Sequence, residues 1–197
     1  MRFVLASGNA GKVVELEQLL AGSGVELAAQ TSLGVSDADE TGLTFVENAL
    51  IKSRHAARIT GLPALADDSG ICVDALDGAP GLYAARYAGT HGDSAANNAK
   101  LLRELDGVPS DKRTAYFIAV LVVLRHADDP APLIAEGRWY GRILEAPRGE
   151  GGFGYDPLFL PDGYDVSAAE LDVALKNRLS HRGQALDVLK ARFAELA

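Results

Sequence analysis

Short apolar runs alternate with stretches of helical spacing along this chain, and glycine or polar clusters separate them. Arg2–Ala6 is an apolar run stopped by Ser7, Gly8 and Asn9, after which apolar residues recur at Val13, Leu16, Leu19 and Leu20. Strand, tight loop and helix are predicted in that order. Residues 25–29 form a second candidate strand, and the polar stretch TSLGVSDADETG predicts an exposed loop. Thr44 and Glu47 have the T-x-x-E spacing of a capping box, so a helix is expected over about residues 44–59, stopped by Gly61 and Pro63. Residues 64–66 and 71–73 predict two short strands on either side of a sharp bend that carries Asp67, Asp68, Ser69 and Gly70.

The second half is patterned differently. DGAPGLYAARYAG has no clear period and predicts a functional loop, followed by a helix over residues 95–105 with Ser94 as its N-cap. Residues 114–126 and 133–143 are long strand-like runs joined by ADDPAP, and they predict an antiparallel hairpin. RGEGGFGYDPLF is too rich in turn residues for regular structure, and two amphipathic helices are expected near 168–180 and 183–196. Helices alternating with strands early and a hairpin late predict an α/β fold: a mixed, twisted sheet flanked by helices, formed as one domain over residues 1–197.

Composition narrows the function. With 48% hydrophobic and 23% charged residues the chain is that of an ordinary globular domain. Its net charge of −8 argues against a general affinity for nucleic-acid backbones or anionic membranes, while leaving room for a small anion at a local basic patch. The single Cys72 excludes an intramolecular disulfide and suits a reducing compartment. No run reaches the ~20 apolar residues that span a bilayer, and the N-terminal run is too short for a secretory signal, so a cytoplasmic protein is expected.

The candidate chemistry lies where the pattern breaks. Ser7, Gly8, Asn9, Ala10, Gly11 and Lys12 join a strand to a helix start, where free backbone N–H groups and the helix dipole favour a phosphate. The spacing is not that of a Walker A loop, and a purely structural turn remains open from these residues alone. Adjacent strand residues point to opposite faces, so Asp67 and Asp68 are expected to do different jobs. A carboxylate near a triphosphate needs a cation between them, for which Mg²⁺ is the natural choice. Asn48, Lys52 and His55 share one helix stripe, which borders a cleft or simply faces solvent. Phe153, Gly154, Tyr155 and Asp156 combine flexible glycines, aromatics and an acid, a set able to stack on a planar base or plug a core. Lys176, Arg178, His181 and Arg182 gather positive charge that the rest of the chain lacks, for an anion, for base carbonyls or against a helix dipole.

SGNAGK, ETGLTFVENA, ADDSG, GGFGYDP and SHRGQAL occur in the order and at roughly the spacings of the inosine/xanthosine triphosphate pyrophosphatases, the Ham1-like or RdgB-like proteins, which the chain resembles over nearly its whole length. The resemblance implies Mg²⁺-dependent hydrolysis of inosine, deoxyinosine and xanthosine triphosphates to the monophosphate and pyrophosphate. It also implies a homodimer of elongated, two-lobed subunits with the substrate in a central cleft. On the matching positions, residues 7–12 would hold the triphosphate, Asp68 would be the catalytic acid/base residue and a metal ligand, and Glu40 a second metal ligand. Lys52 and Ser69 would contact the phosphates or the reacting water. Phe153, Gly154, Tyr155 and Asp156 would form part of the base pocket, completed by Lys176, His181 and Arg182. Leu175 stands where many members have glutamate, removing a brace for Lys176. Two other readings are set against this one: a nucleotide-binding regulatory module that does not hydrolyse, and a Maf-like pyrophosphatase for modified pyrimidine nucleotides.

Overall fold

The computed structural model describes residues 2–196. Six strands form one mixed, open sheet in the order β2-β1-β3-β4-β5-β6, where β1 is Arg2–Ala6, β2 Glu26–Ala29, β3 Ala64–Val73, β4 Thr114–Leu124, β5 Leu133–Ile143 and β6 Phe159–Pro161. β1 pairs in parallel with both β2 and β3, and β5 pairs antiparallel with β6. The helices are α1 (Ala10–Leu20), α2 (Phe45–Thr60), α3 (Ser94–Glu104), α4 (Val173–Leu179) and α5 (His181–Lys190).

Burial follows the sequence pattern strand by strand. TAYFIAVLVVL is buried at nearly every position of β4, as a strand covered on both faces must be. LIAEGRWYGRI alternates strictly between buried and exposed, so β5 shows one face to solvent. Gly141 is required there because a Cβ would stand 2.3 Å from the Leu160 carbonyl oxygen of β6.

The chain divides into two compact units, one of residues 1–68, 119–137 and 182–197, the other of residues 69–118 and 138–181. Each has its own core. In the first, Leu5 of β1, Leu16 and Leu20 of α1, Leu121 of β4 and Leu186 and Leu189 of α5 pack together. In the second, Phe117, Trp139, Tyr155, Leu158 and Phe159 gather around Ile71 and Leu101. Full burial of one such side chain is worth about 1.5–3 kcal/mol.

Four expectations need correction. Residues 64–73 form one continuous strand, not two strands around a bend. Asp67 and Asp68 are buried within it at 1% and 6% exposure, which a strand interior tolerates only because cations meet both carboxylates. The N-cap of α3 is Asp93, whose side chain accepts from Ala96 N, and the helix begins at Ser94. α4 starts only at Val173, because Asp172 Oδ1 caps Ala174 N and Leu175 N while the preceding amides of Ala168 and Ala169 bond to the Phe159 and Asp156 carbonyls. α5 ends at Lys190, and the chain continues as a 3₁₀ turn over Phe193–Leu196.

Candidate functional site

In the first unit, Ser7, Gly8 and Asn9 link β1 to α1, and Ala10, Gly11 and Lys12 make the first turn of the helix. Asn9 caps that turn, its Oδ1 accepting from Lys12 N at 3.1 Å. Asn9 N donates to Ser7 Oγ at 3.3 Å, so the loop is braced from within. Gly8 has no room for a side chain: a Cβ would stand 2.7 Å from Asp37 Oδ1, which is held in turn by Gln30 Nε2 at 2.6 Å. The acidic loop after β2 therefore lies against the loop that starts α1.

The two aspartates of β3 open onto different partners, as alternation along a strand requires. Asp67 Oδ1 lies 2.9 Å from Lys12 Nζ, and Asp67 Oδ2 accepts from Arg182 Nε at 2.6 Å. Arg182 is 1% exposed and also donates through Nη1 to Glu15 Oε2. Asp68 Oδ1 accepts from Lys52 Nζ at 2.6 Å. The same ammonium donates to the Asp67 carbonyl at 2.8 Å and lies 3.1 Å from Glu40 Oε1. Lys52 thus ties α2 to β3 and brings two carboxylates onto one cation.

The electrostatics separate the pair further. Burial alone would raise Asp67, but Arg182 and Lys12 outweigh it and hold the carboxyl well below the usual carboxylate range. Burial pushes Asp68 up, and Lys52 offsets this only in part. Burial lowers Lys12, helped by the neighbouring charges of Lys52 and Arg182 and opposed by Asp67. Burial would lower Lys52 as well, but Asp68 and Glu40 together hold it above its ordinary value. Lys52 therefore stays cationic, and of the two adjacent aspartates Asp68 is the easier to protonate. Asp67 is a fixed anion, whereas Asp68 is a carboxylate able to take a proton.

In the second unit the glycine-rich loop closes on Asp156, which is 4% exposed. Its Oδ2 accepts from Phe153 N at 2.8 Å and from Lys176 Nζ at 2.6 Å. Gly152, at φ +71°, passes so near this carboxylate that a Cβ would stand 2.1 Å from Oδ2. Asp156 therefore braces Lys176, the task that a glutamate at position 175 would share. Phe153 is 38% exposed and its ring centroid lies 5.1 Å from Lys176 Nζ, within cation–π range. His181 stacks on Phe117 at 4.8 Å between centroids with a 10° interplanar angle. The Gly154 carbonyl accepts from Asn98 Nδ2 at 3.1 Å. Ser69 lies within β3, half-buried.

Two placements differ from the sequence reading. Tyr155 is 5% exposed, belongs to the second core and donates its hydroxyl to the Ala84 carbonyl at 2.8 Å, a plug beneath the loop. Arg182 lies in the interior between Asp67 and Glu15. Glu15 is one of two acids on α1, and its place between Val14 and Leu16 is the sequence signal that could have marked it as buried. Asn98 carried no signal at all.

A helix start capped by Asn9, a lysine shared by two carboxylates and two unlike aspartates mark an α/β protein with a buried cluster of charges. The chain belongs to the Ham1 family, whose sequence model it matches over residues 3–192. It is 63% identical over 194 residues to the dITP/XTP pyrophosphatase of Xanthomonas oryzae pv. oryzae, covering 98% of each chain. It is 60% identical over 192 residues to the dITP/XTP pyrophosphatase of Thioalkalivibrio sulfidiphilus, again with 98% of each chain covered. Among solved structures it resembles a HAM1 protein from Coxiella burnetii, with a TM-score of 0.90, 47% identity and 99% of each chain covered. It also resembles the Ham1 protein of Staphylococcus aureus, with a TM-score of 0.86, 35% identity and 100% of each chain covered.

Proposed function

We propose that this chain hydrolyses the triphosphates of deaminated purines (inosine, deoxyinosine and xanthosine) to the monophosphate and pyrophosphate, clearing them from the nucleotide pool. The observation that carries this reading is Asp68: a buried carboxyl with a raised pKa, held by Lys52 beside Glu40. The names of relatives that share about three residues in five support it.

Mg²⁺ is the cofactor of this reading. Asp68 and Glu40 converge on one ammonium and offer oxygen donors, which suits a hard cation that keeps waters and takes further ligands from phosphate oxygens. Among the described residues no group of three or more acidic, histidine or cysteine side chains is gathered to hold a metal, so Asp68 and Glu40 would supply only part of the ion's ligands. When bound, the ion would neutralise charge on the leaving pyrophosphate. The capped first turn of α1 and Lys12 bind the polyphosphate, and Lys52 fixes the Asp68 carboxylate. Asp68 accepts the proton of the attacking water. In the second unit, Phe153 offers an aromatic face, while Lys176 and His181 direct donors to the 6-oxo group. Adenine, with an amino group at that position, would leave such donors unpaired. Arg182 is assigned to holding Asp67 and Glu15, and Tyr155 to supporting the loop.

The setting proposed is the cytoplasm, and among the described residues no helix is long and apolar enough to cross a membrane. Homodimerisation is part of the same reading, supported by the family resemblance, and sedimentation of the purified chain measures it. The test of function is product analysis with inosine and adenosine triphosphates, each with and without Mg²⁺. Inosine monophosphate plus pyrophosphate, formed with the cation and much faster than the adenosine products, is the expected result. Diphosphate plus orthophosphate would move the cut to the other bond, and no turnover would return the binding module or the pyrimidine pyrophosphatase to the front.

A further inference from the structure

One stripe of α2 holds a single stretch of the acidic loop at three points. Asn48, Lys52 and His55 stand at i, i+4 and i+7 and share a helix face. His55 Nε2 lies 3.0 Å from the Ser36 carbonyl oxygen, Lys52 Nζ 3.1 Å from Glu40 Oε1, and Asn48 Oδ1 accepts from Gly42 N at 2.8 Å. The stripe thus neither faces solvent nor merely borders a cleft; it clamps the segment that carries Glu40.

Asn48 is the most deeply buried of the three contacts, at 2% exposure. Its base is rigid, because the capping box of Thr44 and Glu47 fixes the first turn of α2: Glu47 N donates to Thr44 Oγ1 at 3.3 Å, and Leu43 N to Glu47 Oε2 at 2.8 Å. Gly42 is pressed onto this turn, since a Cβ there would stand 2.6 Å from Glu47 Cβ and 2.7 Å from Asn48 Oδ1. Gly42 is only two positions beyond Glu40, at most about 7 Å of chain, so slack at the Gly42 amide passes directly to the Glu40 carboxylate.

We infer that Asn48 is a positioning residue for Glu40: by fixing the Gly42 amide against α2 it sets the reach of Glu40 toward Asp68, and thereby the affinity for the divalent cation. This rests on the cation-dependent reading above. Residues that orient a metal ligand typically change metal affinity or activity by 10- to 100-fold when lost.

The test titrates Mn²⁺ into the protein bound to the α,β-methylene analogue of inosine triphosphate, with free Mn²⁺ followed by electron paramagnetic resonance, alongside turnover against Mg²⁺ concentration. Asn48→Ala should weaken Mn²⁺ binding about 10-fold and raise the half-saturating Mg²⁺ in step. Asn48→Asp, which keeps the acceptor, should recover most of that loss. Gly42→Ala keeps the Asn48 side chain but drives a Cβ against Glu47 and Asn48 Oδ1, displacing the same loop, and should shift both curves in the same direction, so the inference stays testable if Asn48→Ala fails to fold. Wild-type Mn²⁺ affinity in Asn48→Ala and Gly42→Ala, with only a lowered melting temperature, would overturn it. A wild-type protein that cleaves inosine triphosphate equally well without divalent cation would overturn the cation reading itself, and this inference with it.

Discussion

Asp67 and Asp68 are neighbours on one strand, both almost fully buried, yet they occupy opposite electrostatic worlds. Asp67 meets two cations, Lys12 and an Arg182 that it shares with Glu15, and is driven well below the carboxylate range. Asp68 shares one cation with Glu40, and burial raises its carboxyl from the ordinary value. Burial acts on both in the same direction, so the number of cations per carboxylate decides the outcome. The acid with surplus cations is part of the frame; the acid with too few is the one that can bind, release or take a proton.

The largest effect is therefore expected at Asp68. Asp68→Asn should cut turnover of inosine triphosphate by about 10²- to 10⁴-fold, the range for loss of a general base. Because the ionised form of Asp68 is disfavoured in the folded protein, the same variant should melt at or above the wild-type temperature in EDTA-containing buffer. Normal rates in Asp68→Asn would remove this residue from the chemistry, and a large fall in melting temperature would make it another frame residue.

Arg182→Ala attacks the other side. It strands Asp67 and Glu15 in the interior, and breaking such a network by removing one partner costs about 3–5 kcal/mol. For a chain of this length that corresponds to a melting temperature lower by roughly 6–20 °C. A loss under about 1 kcal/mol would mean that Lys12 alone satisfies Asp67.

How much of this contrast could be read from sequence follows from where each partner comes from. The loop at residues 7–12, the T-x-x-E start of α2 and the long strands β4 and β5 are local patterns, and the structure has them within a residue or two. Asp67 and Asp68 suggested a bend because two acids followed by Ser69 and Gly70 are turn chemistry locally. Their neutralising cations come from α1, α2 and α5, and no window on the sequence contains them together. Glu15 and the loop-clamping role of the α2 stripe were hidden for the same reason. Tyr155 carried a further ambiguity, since an aromatic in a glycine-rich loop serves a ligand or a core equally well until the Ala84 carbonyl is seen at its hydroxyl. Nothing local distinguishes the two.

Acid titration sharpens the comparison by sign. Asp67 has a depressed folded pKa, so its contribution to stability is present above the ordinary carboxylate value and is lost as pH falls through the folded value. Asp68, raised in the folded state, works the other way: its ionisation costs stability near neutral pH, and the cost disappears on acidification. Stability of the wild type should thus fall more steeply below about pH 4 than that of Asp67→Asn, measured by urea unfolding at a series of pH values. Parallel curves would show that Asp67 has an ordinary carboxyl and that the contrast between the two aspartates is not electrostatic.

The smallest effect is expected at Glu15. Glu15→Gln keeps an oxygen acceptor for Arg182 Nη1 and removes one negative charge, while the bond from Arg182 Nε to Asp67 is untouched. The loss should be about 1 kcal/mol, near the worth of one ordinary hydrogen bond and far below that of Arg182→Ala. Thermal melts of Glu15→Gln, Arg182→Ala and the double variant close a cycle in which Glu15→Gln, costly alone, should regain stability once Arg182 is gone, because it neutralises a carboxylate left without its cation. If Glu15→Gln instead costs as much as Arg182→Ala, then Arg182 is anchored from α1, and Asp67 receives a cation that was already in place. Asp67 would then be stabilised by a frame it does not build, and the contrast with Asp68 would reduce to which neighbour happens to lie beside an arginine held by something else.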